Sequence, residues 1–262
     1  MKRFFLMGII ASAWSSGGSA SGLPDLKAIV ASVDGEYLSY SGDFGRRVVV
    51  NAQTRFGTGP TKYAFLVSHG MRKAGDEKFQ ATRVQASLVH DWSSRISTRT
   101  VAGFGSNQPI FVNRELGQEI SYKPLSQTVV TAGGRYARYF GGVDSWSWSI
   151  GAAQYFKGGY VSYRFSDYDT DGLGHSIGHL VSGKLDDPYG ATQLWVGHGT
   201  ALHDADFLAV PQKGKYTQVE VQRSQSLGGG ISLNVGVRRN WHQTPSAKVH
   251  GTGVRVGFTL KQ

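Results

Sequence analysis

The stretch ISLNVGVR, residues 231–238, decides the fold: Ile231, Leu233, Val235 and Val237 share one parity, while Ser232, Asn234, Gly236 and Arg238 share the other. Residues two apart lie on one face only in extended chain, so this alternation predicts a strand with one oily and one polar side. The period returns at the C-terminal end, where Val254, Val256, Phe258 and Leu260 oppose Arg255, Gly257 and Thr259. It also runs through the middle of the chain. Trp146, Trp148, Ile150 and Ala152 oppose Ser147, Ser149, Gly151 and Ala153, and Val161, Tyr163 and Phe165 alternate with Ser162, Arg164 and Ser166.

Extending outward, the pattern predicts strands over 27–38, 46–55, 62–72, 79–91, 96–105, 110–122, 127–139, 145–156, 160–168, 176–185, 191–199, 215–224, 231–241 and 248–261. The connectors alternate in character. Counted from the N-terminus, odd connectors include the longest and most polar, up to 201–214. Even ones are the tight sequences GTGPT, SSR, KPLS, KGG, DDPYG and QSLGGG, all with turn chemistry. Long loops on one side and short turns on the other mark a membrane-spanning β-barrel. The predicted fold is an all-β, transmembrane, antiparallel up-and-down barrel of about fourteen strands. Twelve or sixteen stay open, because the limits of 62–72 and 176–185 are soft.

A water-soluble sandwich would bury the apolar parity instead. Three features favour the inverted arrangement. Aromatics stand near strand ends (Trp92, Tyr122, Tyr136, Trp146, Trp241), Arg recurs on the parity opposite the apolar residues, and the N-terminus reads as an export signal. Met1–Ala20 opens with Lys2 and Arg3, continues apolar from Phe4 to Trp14, and places small Gly18 and Ala20 before a cleavage point. That is the pattern of a secretory signal peptide, too short to span a bilayer as a helix. The expected division is a signal over 1–20 and one barrel domain over 21–262, located in the bacterial outer membrane.

The chain has no Cys, which excludes disulfide support and thiol chemistry. Its formal charge is +10. In an envelope protein this balance suggests anionic lipid, lipopolysaccharide phosphate or an acidic polymer rather than nucleic acid.

Several segments taken in order carry a family resemblance: YLSYSGDFGRR (37–47), FQATRVQASL (79–88), ISTRTVAGFGSNQPIFV (96–112), GRYARYFGGVD (134–144), VSYRFSDYDTDG (161–172), LDDPYGATQLWVGHGT (185–200) and WHQTP (241–245). Together they resemble the YaiO family of outer-membrane β-barrel proteins. The resemblance implies a bacterial outer-membrane barrel, and relatives and domain neighbours point to exopolysaccharide export. One departure is the C-terminus, Lys261-Gln262, where such barrels end on an aromatic residue read by the outer-membrane assembly machinery.

With the polar parity inward, the lumen receives Arg47, Arg55, Arg83, Arg99, Arg135, Arg164, Arg238 and Arg255, set against Asp34, Glu36, Glu115, Glu119 and Glu220. Such a lining serves either as a weakly cationic passage for an anionic or sugar-like solute, or as an Arg–Glu lattice that fills and stiffens a closed barrel. The connector after His198 mixes Asp204 and Asp206 with Phe207, Leu208 and Val210, and is a candidate plug or partner contact. Arg138 and Arg239, on the apolar parity at outer strand ends, are candidates for lipopolysaccharide contact.

The chemical constellations are weak. DYDTDG (167–172) has the alternate carboxylates of a calcium loop but Gly178 where its bidentate Glu belongs, and it reads as a polar loop. His175 and Ser176 are adjacent on a strand and therefore face opposite ways, so they form no nucleophile–base pair by themselves. No catalysis, metal or cofactor is implied. The expected partners are outer-membrane lipid, lipopolysaccharide, the assembly machinery, and a saccharide or anionic solute. The alternative is a non-transport surface barrel with a blocked lumen. A membrane-embedded hydrolase ranks third.

Overall fold

The computed structural model describes residues 27–202 and 212–262, and the signal-peptide reading of 1–20 lies outside them. Within them the alternating segments form fourteen strands: β1 Lys27–Tyr40, β2 Arg46–Thr58, β3 Thr61–Ala74, β4 Glu77–Asp91, β5 Ile96–Gly105, β6 Arg114–Leu125, β7 Thr128–Arg138, β8 Asp144–Phe156, β9 Gly159–Thr170, β10 Gly174–Asp187, β11 Gly190–Leu202, β12 Gln212–Gly228, β13 Ile231–Gln243 and β14 Lys248–Lys261. Each pairs with its sequence neighbour, and β14 pairs with β1 to close the ring. The closing seam runs from Val30 opposite Lys261 to Tyr40 opposite Gly251. Closure leaves no unpaired strand edge, which is what a sheet needs where no water can satisfy its backbone.

The apolar parity faces outward. Val67, Val84, Leu116, Ile150, Val161, Val256 and Phe258 are all exposed, an arrangement that would be prohibitive in water and is the stable one against acyl chains. Aromatics border this belt at both ends. Tyr37, Phe104, Trp146 and Trp241 stand toward the long-loop rim, and Trp92, Tyr122, Phe156 and Tyr189 toward the short-turn rim. Tyr136 and Trp146 pack at 4.9 Å between ring centres. Amphipathic rings are favoured at these depths.

The short-turn rim is tightly made. Lys157–Gly158 joins β8 to β9 in two residues, with Gly158 at φ 81°, a left-handed conformation that glycine adopts without steric cost.

Most strands run further than their alternation predicts. The segment 167–172, expected to be a loop, is strand through Thr170, and only 171–173 turn. Ladder hydrogen bonds continue there although the side chains have become polar, because a hairpin rising above the apolar belt needs pairing but no oily face. The reverse correction applies at β6. It was expected from residue 110 and begins at Arg114. Phe104 pairs with Arg114, and Gly105 N–H donates to Asn113 O at 2.7 Å. This pinches residues 106–112 out of the sheet as a loop, within which Pro109 has no N–H to offer a ladder.

Candidate functional site

The lumen has three levels. At mid-height the inward parity forms a charged lattice. Glu115 on β6 accepts hydrogen bonds from Arg83 on β4 and from Arg135 on β7, the latter at 3.0 Å. On the opposite wall Glu220 accepts from Arg238 Nε at 2.7 Å, and Glu36 accepts from Arg255 at 3.0 Å. Arg238 also approaches Glu36 at 3.6 Å. Trp195, 1% exposed, fills the wall at β11. Every strand supplies at least one inward side chain that water scarcely reaches, from Glu36 on β1 to Val249 on β14. The lattice side chains are themselves 12% exposed or less, so water scarcely enters between them.

Toward the long-loop rim the filling becomes aromatic. Leu38, Tyr40, Tyr168, Tyr216 and Val249 form one buried cluster, with Phe44 and Ala247 packed on it. Gly199 leaves room beside this cluster, since a Cβ there would stand 2.3 Å from Ile177 O and 3.0 Å from the Tyr216 ring. On the other side the loop 106–113 folds inward over β2, β3 and β4. Ile110 and Phe111 pack with Val49, Ala81 and Phe79. Gly70 provides the space, as a Cβ there would stand 2.8 Å from Ile110 Cγ2. Arg47 donates to Ile110 O and Arg72 to Pro109 O, each at 3.3 Å. The Arg47 guanidinium also lies 5.6 Å from the centre of the Phe111 ring. The loop is thus a plug held by two arginines and an apolar anchor.

Toward the short-turn rim the lumen opens. A cavity of about 840 Å³ is lined by Arg99, Glu119 and Arg164 at its depth and by Lys62, Asp91, Tyr155, Tyr160, Lys184 and Asp186 nearer the rim. A second cavity, about 440 Å³, shares Lys184 and Asp186 and is lined by Arg55, Gln53, Gln222, Asn234 and Arg255. At the rim Lys62 pairs with Asp91 at 2.9 Å and Lys184 with Asp186 at 2.7 Å. Arg164 meets Glu119 at 2.5 Å, and Arg99 stands opposite Glu119 in the ladder. Arg99 is also within electrostatic reach of Arg164 and Arg55. Arg55 itself donates to Gln53 at 3.1 Å. Two guanidiniums, Arg164 and Arg99, therefore stand beside Glu119, while Arg55 lines the second cavity.

All eight arginines and four glutamates singled out in the sequence lie on the inward parity, and the fold divides them by height. Arg83, Arg135, Arg238, Arg255, Glu36, Glu115 and Glu220 form the mid-level lattice, Arg47 holds the plug, and Arg55, Arg99, Arg164 and Glu119 floor the vestibule. Sequence reasoning missed the plug. Its signal was Pro109 followed by Ile110-Phe111-Val112, three apolar residues in a row where alternation should hold. The plug expected from 201–214 falls largely on residues 203–211, outside the described residues. Outside the barrel, Arg138 lies 3.6 Å from Asp144, and Arg239 bonds Thr252 and sits 5.8 Å from the Trp241 ring centre. His175 faces outward beside Asp167 at 3.2 Å, whereas Ser176 is buried inward. Among the described residues no cluster of His, Cys, Asp or Glu is placed to hold a metal.

A closed antiparallel barrel with an oily exterior and a charged lumen defines a bacterial outer-membrane β-barrel of porin-like or channel-like fold. The YaiO membrane beta barrel domain family matches residues 29–203, and the chain belongs to that family. Solved structures share the architecture at low identity. A CymD monoaromatic hydrocarbon channel aligns with TM-score 0.64 at 8% identity, over 90% of this chain and 88% of that one. A bacterial polysaccharide outer membrane secretin gives 0.54 at 9%, over 92% and 100%. An anion-selective porin from Comamonas acidovorans gives 0.53 at 12%, again over 92% and 100%. At such identities the likeness is one of fold.

Proposed function

We propose that this barrel is a passage or export component for saccharide or anionic solutes, closed at rest and entered from its short-turn end. The observation that carries the reading is the asymmetry of the lumen: an open, cationic vestibule lies below the charged lattice, and above it on the long-loop side stands a plug that belongs to no β-ladder. A plug whose tip is held by the hydrogen bonds from Arg47 and Arg72 and by apolar contacts, with Ser106 tied to Thr82 at its root, can withdraw without breaking the sheet. Rings of Arg steer anions toward and through such openings. In barrels of this kind the short turns face the periplasm, so solute would load from inside the envelope.

The Arg–Glu lattice supports a second reading, a non-transport barrel whose lumen is permanently filled. Planar-bilayer recording separates the two. The wild-type chain is expected to be almost silent, and a variant with residues 106–112 replaced by two glycines is expected to give discrete, anion-preferring steps. If the shortened loop leaves the barrel non-conducting at every voltage, the lattice alone seals it and the second reading stands.

A further inference from the structure

We propose that the outward face where β2, β3 and β4 reach the long-loop rim binds the phosphates of lipopolysaccharide in the surrounding leaflet, through Arg46, Lys73 and Lys78. This site lies on the outer wall and does not depend on whether the lumen conducts. Register sets the three cations side by side: Lys73 is directly opposite Arg46 on one side and Lys78 on the other. All three are exposed. Each shares a parity with lipid-facing residues of its own strand, Arg46 with Val50, Lys73 with Val67 and Met71, and Lys78 with Val84. Two strand spacings of about 4.8 Å separate the outer two, so one multiply phosphorylated headgroup can touch the whole row.

Like charges directly opposite one another on neighbouring strands are destabilising. Elsewhere on the outer wall an acid offsets them. Arg114 faces Arg138, but Asp144 stands in the same row and lies 3.6 Å from Arg138. Near the short-turn rim Arg223 donates to Asp187 at 3.0 Å. The row of Arg46, Lys73 and Lys78 contains no such acid. It continues through Ser39 and Thr252 to Arg239, which adds two hydroxyls and a fourth cation, still without a carboxylate. Among the described residues none of the three makes an ion pair or a side-chain hydrogen bond, not even with Asp76 and Glu77 at the adjoining hairpin tip. An anion from outside the chain would relieve the repulsion.

Depth identifies that anion. Below the row, the outward side chains of β2 and β3 descend from Val48 and Met71 to Phe56 and Tyr63, whose ring centres lie 5.4 Å apart. Arg46 is ten residues along β2 from Phe56, and Lys73 ten along β3 from Tyr63. Ten residues are about 33 Å of strand, or roughly 25 Å of height at the ~40° tilt of such barrels, which is also the height of their apolar band. The cations therefore stand where acyl chains give way to headgroups. Long loops of these barrels face the cell exterior, and the lipid of that leaflet is a phosphorylated glycolipid. Cations at headgroup level are drawn to anionic lipid by charge, and the Arg46 guanidinium adds a fork that fits phosphate oxygens. Ser39 and Thr252 offer hydroxyls to the adjoining sugar.

Native mass spectrometry of the detergent-solubilised full chain, titrated with lipid, tests the site. The probes are diphosphorylated lipid A, the same lipid with both phosphates removed, and inorganic phosphate as competitor, all with a chelator present so that no divalent cation bridges them. The wild type is expected to bind the phosphorylated lipid about a hundredfold tighter than the dephosphorylated one, roughly fivefold for each cation. Arg46→Gln, Lys73→Gln and Lys78→Gln should each remove about fivefold, and the triple variant nearly all of the preference. Lys157→Gln, in the β8–β9 turn at the opposite rim, should leave it unchanged. Heat-modifiable migration on gels confirms that each variant is folded, and the single variants keep the test informative if the triple one misassembles. Equal binding of the two lipids by the wild type overturns the proposal, as does a preference that survives the three substitutions. A loss of equal size in Lys157→Gln would trace the preference to net charge and overturn it too. Displacement of the lipid by an equal concentration of inorganic phosphate would make the row a general anion site and have the same effect.

Discussion

Glu115 shows how much one residue does in this lumen. Its side chain is 1% exposed and is shared by Arg83 and Arg135. Removing the carboxylate in Glu115→Ala takes away the anion that two buried guanidiniums have in common, and the expected loss of stability is about 3–5 kcal/mol. Urea unfolding in lipid vesicles, followed by tryptophan fluorescence, measures it. The neighbouring Gly103 is bound to the same carboxylate by space, since a Cβ there would approach Glu115 Oε1 at 2.5 Å. Gly103→Ala should therefore cost ~1–3 kcal/mol by overpacking. In the double variant the clash partner is gone, so the two losses should fall short of adding. Simple additivity would mean that Gly103 acts through its backbone rather than through Glu115.

At the scale of the element, the plug behaves as a separable unit. Its fastenings are the carbonyl bonds from Arg47 and Arg72 and the seating of Ile110 and Phe111 against Gly70. A hydrogen bond to a charged group contributes ~1.5–3 kcal/mol, so Arg47→Ala should shift the docked-to-undocked ratio by about tenfold or more. Because the chain contains no Cys, Val112→Cys, buried in the same loop beside the anchor, introduces a single reporter. Its labelling by an aqueous maleimide should be slow in the otherwise native barrel and should quicken by about the same factor when Arg47→Ala is added. Unchanged labelling would mean that the apolar seat alone holds the loop. The silent conductance expected of the wild type depends on this same element.

The whole molecule is governed by the depth at which each outward residue sits. Ile150, midway along β8 and exposed to lipid, should tolerate Arg poorly, with a cost of about 2–4 kcal/mol. Trp92, exposed beyond the end of β4 at the short-turn rim, should cost roughly 0–1 kcal/mol for the same change. Urea titrations of Ile150→Arg and Trp92→Arg in vesicles compare the two. Equal penalties would contradict a belt of hydrocarbon thickness around the ring and would call for another account of the exposed apolar face.

The sequence by itself determined an all-β up-and-down order of about fourteen strands, because a period of two is a local property and each strand carries its own copy of it; the choice of the oily parity as the outward one drew on the N-terminal export pattern, the aromatics near strand ends and the recurrent Arg opposite the apolar residues. Ile231 to Val237, set against Ser232 to Arg238, already states which side is oily. With that parity taken as outward, the arginines and glutamates of the other parity fall on the inner wall. What it did not determine is which of them meet. Glu115 is 32 residues from Arg83 and 20 from Arg135, and Arg255 is 219 from Glu36. Such pairings depend on register and stagger around the ring. The strand limits near 106–114 and 167–173 were misjudged for a related reason. Ladder bonding continues above the belt without any oily face, and at 106–112 chain pinched out between two paired strands found its apolar partners inside the barrel. Division of one polar lining into a sealed lattice, a plug and a cationic vestibule was therefore decided by tertiary structure, where residues distant in the chain come close enough for charge and volume to act between them.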